Sequence, residues 1–186
     1  MSPRRDSRRR GPGLKEVARE VALALEREGL RAVLTGGACA SLYSGGACQS
    51  SDLDFILLNV VHEDRLKRAM GSIGFAPRGG HFVRPGLPFF VEFPQGPLAI
   101  GRDVRIEPVL IRVRGAGVPA LSATDACRDR LAAFYHWGDR GSLKAAVAIA
   151  RRNRVDLKVI RAWSEGEEAA REFEEFLEIV QAPRRG

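Results

Sequence analysis

Two aspartates set to share one face of a short apolar strand constrain this chain more than any other feature. They are Asp52 and Asp54, in Ser50-Ser51-Asp52-Leu53-Asp54-Phe55-Ile56-Leu57-Leu58. Alternate residues of a strand project to opposite faces, so the two carboxylates point one way while Leu53 and Phe55 point the other. Like charges held side by side destabilise each other unless a cation lies between them. Fourteen residues separate Asp52 from Gly36-Gly37, and that stretch begins Ala38-Cys39-Ala40-Ser41-Leu42-Tyr43. The pattern predicts a buried strand over 31–35, a glycine turn, a short helix near 38–44 and a strand over 53–59. A glycine turn ahead of a helix exposes backbone N–H groups and the positive helix end, where phosphate binds well. Mg²⁺ is held by one or two carboxylates together with substrate phosphates, so the arrangement points to metal-assisted phosphoryl or nucleotidyl transfer.

A site of this kind needs a third carboxylate on a neighbouring strand. Glu92 is the one acid in the apolar run Phe89-Phe90-Val91-Glu92-Phe93. A glutamate in such a strand is costly without a partner, so it is either functional or paired with a cation. Glu107, flanked by charge in Arg105-Ile106-Glu107, is the weaker candidate.

The series Gly36-Gly37, then Ser50-Ser51-Asp52-Leu53-Asp54-Phe55, then Val91-Glu92-Phe93 resembles the nucleotidyltransferase superfamily of DNA polymerase beta type. Within it, the chain is most similar to small bacterial AbiEii-like toxins. The resemblance is specific across 31–59 and looser across 89–93. It implies that Asp52, Asp54 and Glu92 are catalytic and hold two Mg²⁺ ions. It also implies that Gly36, Gly37 and Ser51 contact the nucleotide. The segment Asp129-Arg130 to Trp137, followed by Asp139-Arg140, is similar to the family's helical segment. There Arg130, standing where lysine is usual, and Asp139 would face the nucleotide; an ion pair between these two is the structural alternative. Arginine offers a planar fork for phosphate oxygens but is a poor proton donor, which favours a charge clamp over acid catalysis. Two departures stand out: Cys48 where relatives carry a basic residue, and glutamate as the third acid. The resemblance implies an NTP substrate and a cognate antitoxin as partner; with the basic body it favours RNA or a tRNA end as acceptor, and a protein hydroxyl or a small molecule such as an aminoglycoside stays open.

The formal charge of +7 is unevenly spread over the 186 residues. Residues 1–13 carry five arginines against one aspartate, and 165–178 carry seven glutamates against one arginine. The body between is basic, as suits a protein that handles polyanions, although solubility alone also explains it. No run of eighteen apolar residues exists, so no membrane-spanning helix is expected, and the basic start lacks a signal peptide's apolar stretch. Cys39, Cys48 and Cys127 are odd in number and show no paired spacing, which makes a reducing cytoplasm the expected setting.

Composition and periodicity divide the chain into a disordered basic arm (1–13), a mixed α/β part (14–118), which the resemblance implies is a nucleotidyltransferase catalytic domain, and a helical domain (119–182). Helices are expected over Leu14–Glu28 and His62–Ile73, strands over 89–93 and 104–113, and a Gly/Pro-rich loop over 74–88. Pro108 marks the last strand as bulged or at an edge. Ser122-Ala123-Thr124-Asp125 has the capping-box form and opens a helix to about Trp137. Further helices are expected over 142–152, 156–163 and 165–180, the last capped by Ser164. His136 and Trp137 could stack a base, but aromatics at a helix end are more often core. Arg151, Arg152 and Arg154 form a basic cluster. The fold class is α/β (α+β): a small mixed sheet with flanking helices, then a helical C-terminal half.

The function that follows is transfer of an NMP from an NTP to a hydroxyl acceptor. Two alternatives stay open: a catalytically silent nucleotide- or RNA-binding protein on the same fold, and an interaction domain in which the three acids do not converge.

Overall fold

Leu14, Val17, Ala18, Val21 and Leu25 recur at helical spacing and form the inner stripe of α1 (Leu14–Arg27), which Gly29 ends in the left-handed conformation. The computed structural model describes residues 12–183, so most of the expected basic arm lies outside the described residues. After α1 come β1 (Ala32–Thr35), α2 (Gly36–Tyr43), β2 (Asp52–Leu57) and α3 (Glu63–Gly71). Then follow β3 (Ala76–Arg78), β4 (His81–Val83), β5 (Phe90–Glu92), β6 (Val109–Val113) and β7 (Ala116–Ala120). Four helices complete the chain: α4 (Ala123–Trp137), α5 (Arg140–Ala150), α6 (Leu157–Gly166) and α7 (Ala170–Gln181).

The strands form one seven-stranded mixed sheet in the order β3-β4-β5-β2-β1-β7-β6. β1 runs antiparallel to β2 and parallel to β7, while β2 runs parallel to β5. Leu53, Phe55 and Val91 are fully buried, whereas their alternates Asp52, Asp54 and Glu92 are only half-buried. That alternation puts the acids on one face of the sheet and the core on the other. α2 packs on β1 and β2, and the antiparallel pair α4–α5 packs on α2. Tyr43 Oη donates to the Leu121 carbonyl at 2.8 Å, tying α2 to the entry of α4. The helical half is therefore mounted directly on the helix that the diglycine opens.

The mixed sheet, the flanking helices and the helical C-terminal half are as the sequence predicts, and the differences are local. The segment 74–88 contains the hairpin β3–β4, because Gly79 and Gly80 both have positive φ (57° and 89°) and close a two-residue turn. Arg114 and Gly115 (47° and 84°) close a second such turn, which adds β7 beyond the expected strand. That strand begins only at Val109; β6 is the sheet edge, as Pro108 implies. Ser122 caps α4 as expected, accepting from the Asp125 amide at 3.0 Å. Ser164 does not cap the last helix. It is buried within α6, donates to the Ile160 carbonyl at 2.8 Å and accepts from Tyr135 Oη at 2.9 Å. The acidic helix α7 starts only at Ala170, after Glu168 turns with φ of 61°.

Candidate functional site

The register of β2 on β5 pairs Asp52 with Phe90, Leu53 with Val91 and Asp54 with Glu92. Partners in register share a face, so the third acid arrives beside the second without any loop having to carry it. Asp52, Asp54 and Glu92 each offer a carboxylate oxygen, and these oxygens lie within 4.8 Å of one another. The three acids expected from the sequence therefore do converge.

β1 pairs antiparallel with β2, with Thr35 opposite Asp54, so the chain leaves β1 and enters α2 directly over the acids. Gly36 makes that step with φ of +65°, and a Cβ there would collide with Asp54 Oδ2. Only glycine fits such a close approach at this backbone angle. A Cβ on Gly37 would meet Ser50 Oγ at 2.6 Å. Ser50 Oγ itself donates to Asp52 Oδ1 at 2.5 Å, which fixes the first carboxylate. Two buried serines hold the loop before it: Ser41 Oγ donates to the Cys48 carbonyl (2.7 Å), and Ser44 Oγ accepts from the Cys48 amide (3.3 Å).

Burial and the neighbouring charges act together on the second acid. The Asp54 carboxyl is pushed up from 3.8 to about 6, chiefly by burial and then by the charges of Asp52 and Glu92, with Arg130 pulling the other way. An aspartate in this condition calls for a cation among the three acids. The donor set, oxygen from carboxylates alone, suits a hard divalent ion such as Mg²⁺.

A cavity of about 430 Å³ opens beside Asp52 and Asp54, lined also by Gly37, Cys48, Ser50, Arg130, Asp139 and Lys144. Across it from the acids, the Arg130 guanidinium bonds Asp129 Oδ2 through Nη2 (2.7 Å) and Nε (3.0 Å), and Nη1 donates to Ser142 Oγ at 3.5 Å. Asp139 is not its ion-pair partner. Asp139 caps α5, accepting from the Gly141 amide (2.8 Å) and from Ser142 Oγ (2.6 Å), and the Ser142 bond leads the causes that hold its carboxyl below the usual range. A chain of contacts thus runs Asp129, Arg130, Ser142, Asp139, and it orients the guanidinium at the cavity wall.

Of the residues expected to bind nucleotide, Gly37, Arg130 and Asp139 line this cavity and Gly36 packs against Asp54. Ser51 does not line it. Ser51 is exposed, its carbonyl accepts from the Phe90 amide at 3.1 Å, and Ser50 provides the serine hydroxyl at the acids. Lys144 is the residue that sequence reasoning missed. It is exposed on α5 and without an ion-pair partner among the described residues. The available signal was the stripe Gly141, Lys144, Ala145, one cation between two small residues on a single helix face.

Other candidates fall away from the cleft. Trp137 is 80% exposed at the end of α4, so it is not core, and it does not line this cavity. Arg151 donates to the carbonyls of Val180 (3.3 Å) and Ala182 (2.8 Å) and so closes the end of α7. Arg128, beside the expected motif, is buried; it pairs with Asp103 (2.6 Å) and Asp125 (2.9 Å) and lies 5.1 Å over the Trp163 ring. It ties the 101–105 loop to α4 and α6.

The sequence matches no protein-family model and no curated protein. Among solved structures the chain is similar to an antigenic nucleotidyltransferase-like protein from Paracoccidioides brasiliensis. The TM-score is 0.55 at 22% identity, over 74% of this chain and 73% of that one. At this identity the likeness shows the fold, which is nucleotidyltransferase-like.

Proposed function

We propose that the chain is a Mg²⁺-dependent nucleotidyltransferase that moves an NMP from an NTP to a hydroxyl acceptor, of the AbiEii-like, toxin-type kind. One observation carries this reading: three carboxylates from adjacent strands meet at a glycine-opened helix, with Arg130 and Lys144 lining the cavity beside them. Both proposed parts of the chain line the cavity, with the aspartates from 14–118 and the cations from 119–182.

Asp52, Asp54 and Glu92 would hold the two metal ions. When bound, Mg²⁺ neutralises the phosphoryl charge and acidifies the attacking hydroxyl. Arg130 and Lys144 bind the phosphate oxygens, and the backbone amides at Gly36-Gly37 present the positive end of α2 to them. Asp139 and Ser142 keep the guanidinium aimed into the cavity. Ser50 fixes the Asp52 rotamer, and Gly36 leaves room for Asp54. With the triphosphate so oriented, the acceptor oxygen bonds to the α-phosphorus in line, its proton passes to solvent, and the bond to pyrophosphate breaks. Positioning and charge neutralisation supply most of the rate. The basic body favours RNA, for instance a tRNA end, as acceptor. Toxin-like action would bring a cognate antitoxin as partner and place the reaction in a cytoplasm. Of the two departures that suggested a silent relative, the glutamate at 92 converges with the aspartates, which supports the active reading.

Incubation with Mg²⁺, each α-labelled NTP and total cellular RNA tests the proposal. Label transfer with pyrophosphate release is expected from the native chain and not from Asp54→Ala. Equal transfer by both proteins, or none by either with any NTP, refutes it.

A further inference from the structure

The face of the sheet that carries the acids continues past them. β4 pairs with β5 so that Val83 lies opposite Phe90, and β3 pairs with β4 so that Arg78 lies opposite His81. Phe82 and Val91 are buried on the far face. His81, Val83 and Phe90 therefore share the near face with Glu92, and each is half-buried, keeping part of its surface in solvent. The helices mounted over this face, α2 with α4 and α5, pack against β1, β2 and one another, with no extensive contact on β4 or β5. The His81 ring lies against the Phe90 ring, with centroids 4.9 Å apart and planes tilted by 47°. Phe90 is directly in register with Asp52, and Glu92 is two residues along. Arg78 is exposed, with no ion-pair partner among the described residues.

From this we infer that the open face of β3, β4 and β5 is the acceptor subsite, and that it takes the unpaired 3′ end of a single-stranded RNA. The Phe90–His81 pair stacks the terminal base, and Arg78 holds a backbone phosphate. The inference rests on the nucleotidyltransfer reading only for the word acceptor; the binding surface is argued from the sheet itself. An aromatic pair at the edge of a carboxylate cluster suits a base stacked flat, because every base has a π-face and no carboxylate need be desolvated. A cation one strand further out offsets the charge of the strand that follows, and the basic chain favours a polyanion over an acidic peptide. A ribose hydroxyl at the end of a base stacked on Phe90 lies beside Asp52 and Glu92, where attack on a bound NTP would occur.

The test uses the full chain and a 5′-fluorescein single-stranded RNA of about 12 nucleotides with 4-thiouridine at its 3′ end. Anisotropy is expected to show affinity falling roughly tenfold for Phe90→Ala and for His81→Ala, the loss of one base–aromatic stack. Arg78→Glu, fully on the surface, should weaken binding and flatten its salt dependence, and it guards against a misfolded ring variant. Binding of Mn²⁺ with a non-hydrolysable NTP should be unchanged in all three. Photocrosslinks from the 3′ end should map to 78–92. RNA affinity unchanged in all three variants, or crosslinks confined to other segments, overturns the subsite. NMP transfer to RNA by native and Phe90→Ala protein alike also overturns it while sustaining the transferase. Platform-dependent RNA binding with no transfer of any NMP sustains the subsite and sinks the transferase.

Discussion

Replacing Asp54 with asparagine removes a charge and keeps the shape, so it separates the cost of holding that charge here, by burial and by repulsion, from the packing of the side chain. The Asp54 carboxyl titrates at about 6 against 3.8 for an ordinary aspartate. At 1.36 kcal/mol for each tenfold change in proton affinity, that is up to about 3 kcal/mol, and partial exposure screens it to about 1 kcal/mol. The sign follows from linkage. A carboxyl whose folded pKa is raised binds its proton more tightly in the folded chain, so the folded state is penalised as pH climbs from about 4 through 6. Above that range the full cost of the half-buried charge, its burial first and its repulsion second, is felt; below it, none. Asp54→Asn should therefore be the more stable protein at pH 8 in chelator, by about 2–4 °C in Tm for a domain of this size. The gap should close as pH falls toward 4. Millimolar Mg²⁺ should raise the Tm of the native chain at pH 8 and leave the variant almost unmoved. Thermal melts by circular dichroism across pH, with and without Mg²⁺, make the measurement. A variant less stable than the native chain at pH 8, a gap independent of pH, or equal Mg²⁺ shifts in both proteins refutes the reasoning.

At limiting Mg²⁺, transfer should fall as pH drops through about 6, because a proton on Asp54 then competes with the cation, and saturating Mg²⁺ should move the fall to lower pH; a profile at limiting Mg²⁺ that is flat between 5 and 7 counts against this. Gly36→Ala should lower Tm by several degrees and abolish transfer, since a Cβ collides with Asp54 at a positive φ, whereas Gly46→Ala, where a Cβ meets nothing within 4 Å, should cost only the backbone strain. Arg130→Ala and Lys144→Ala should each weaken NTP binding about tenfold in calorimetry, and unchanged affinity in both removes the phosphate clamp. Arg128→Ala should destabilise the fold by about 2 kcal/mol in urea melts, because the half-buried Asp103 and Asp125 lose the buried guanidinium they share. A loss under about 1 kcal/mol would contradict the proposed anchoring role.

The acids were legible because a strand's two-residue period fixes which side chains share a face. Asp52 and Asp54 needed nothing more, and Glu92 needed only a neighbouring strand in register. The glycine pair was legible for a steric reason that the structure makes concrete at Gly36. What stayed hidden was set by tertiary partners. Ser50 and Ser51 are adjacent and alike, and only the path of the loop, held by Ser41 and Ser44, decides which hydroxyl meets Asp52. Asp139 reads as a ligand or an ion-pair partner, yet the free amides at the start of α5 claim it first. The hairpin at 76–83 was obscured by the very glycines that close it, since Gly79-Gly80 signals a loop and a tight turn equally well. Ser164 shows the reverse: a capping residue that packing draws into a helix interior, where Tyr135 satisfies it.

The most direct test of the account is anomalous scattering from crystals of the native chain soaked in Mn²⁺ with a non-hydrolysable NTP. The account predicts manganese peaks bonded to Asp52, Asp54 and Glu92, with the triphosphate toward Arg130 and Lys144. Manganese bound elsewhere, or no peak at those three carboxylates in the native chain, contradicts it.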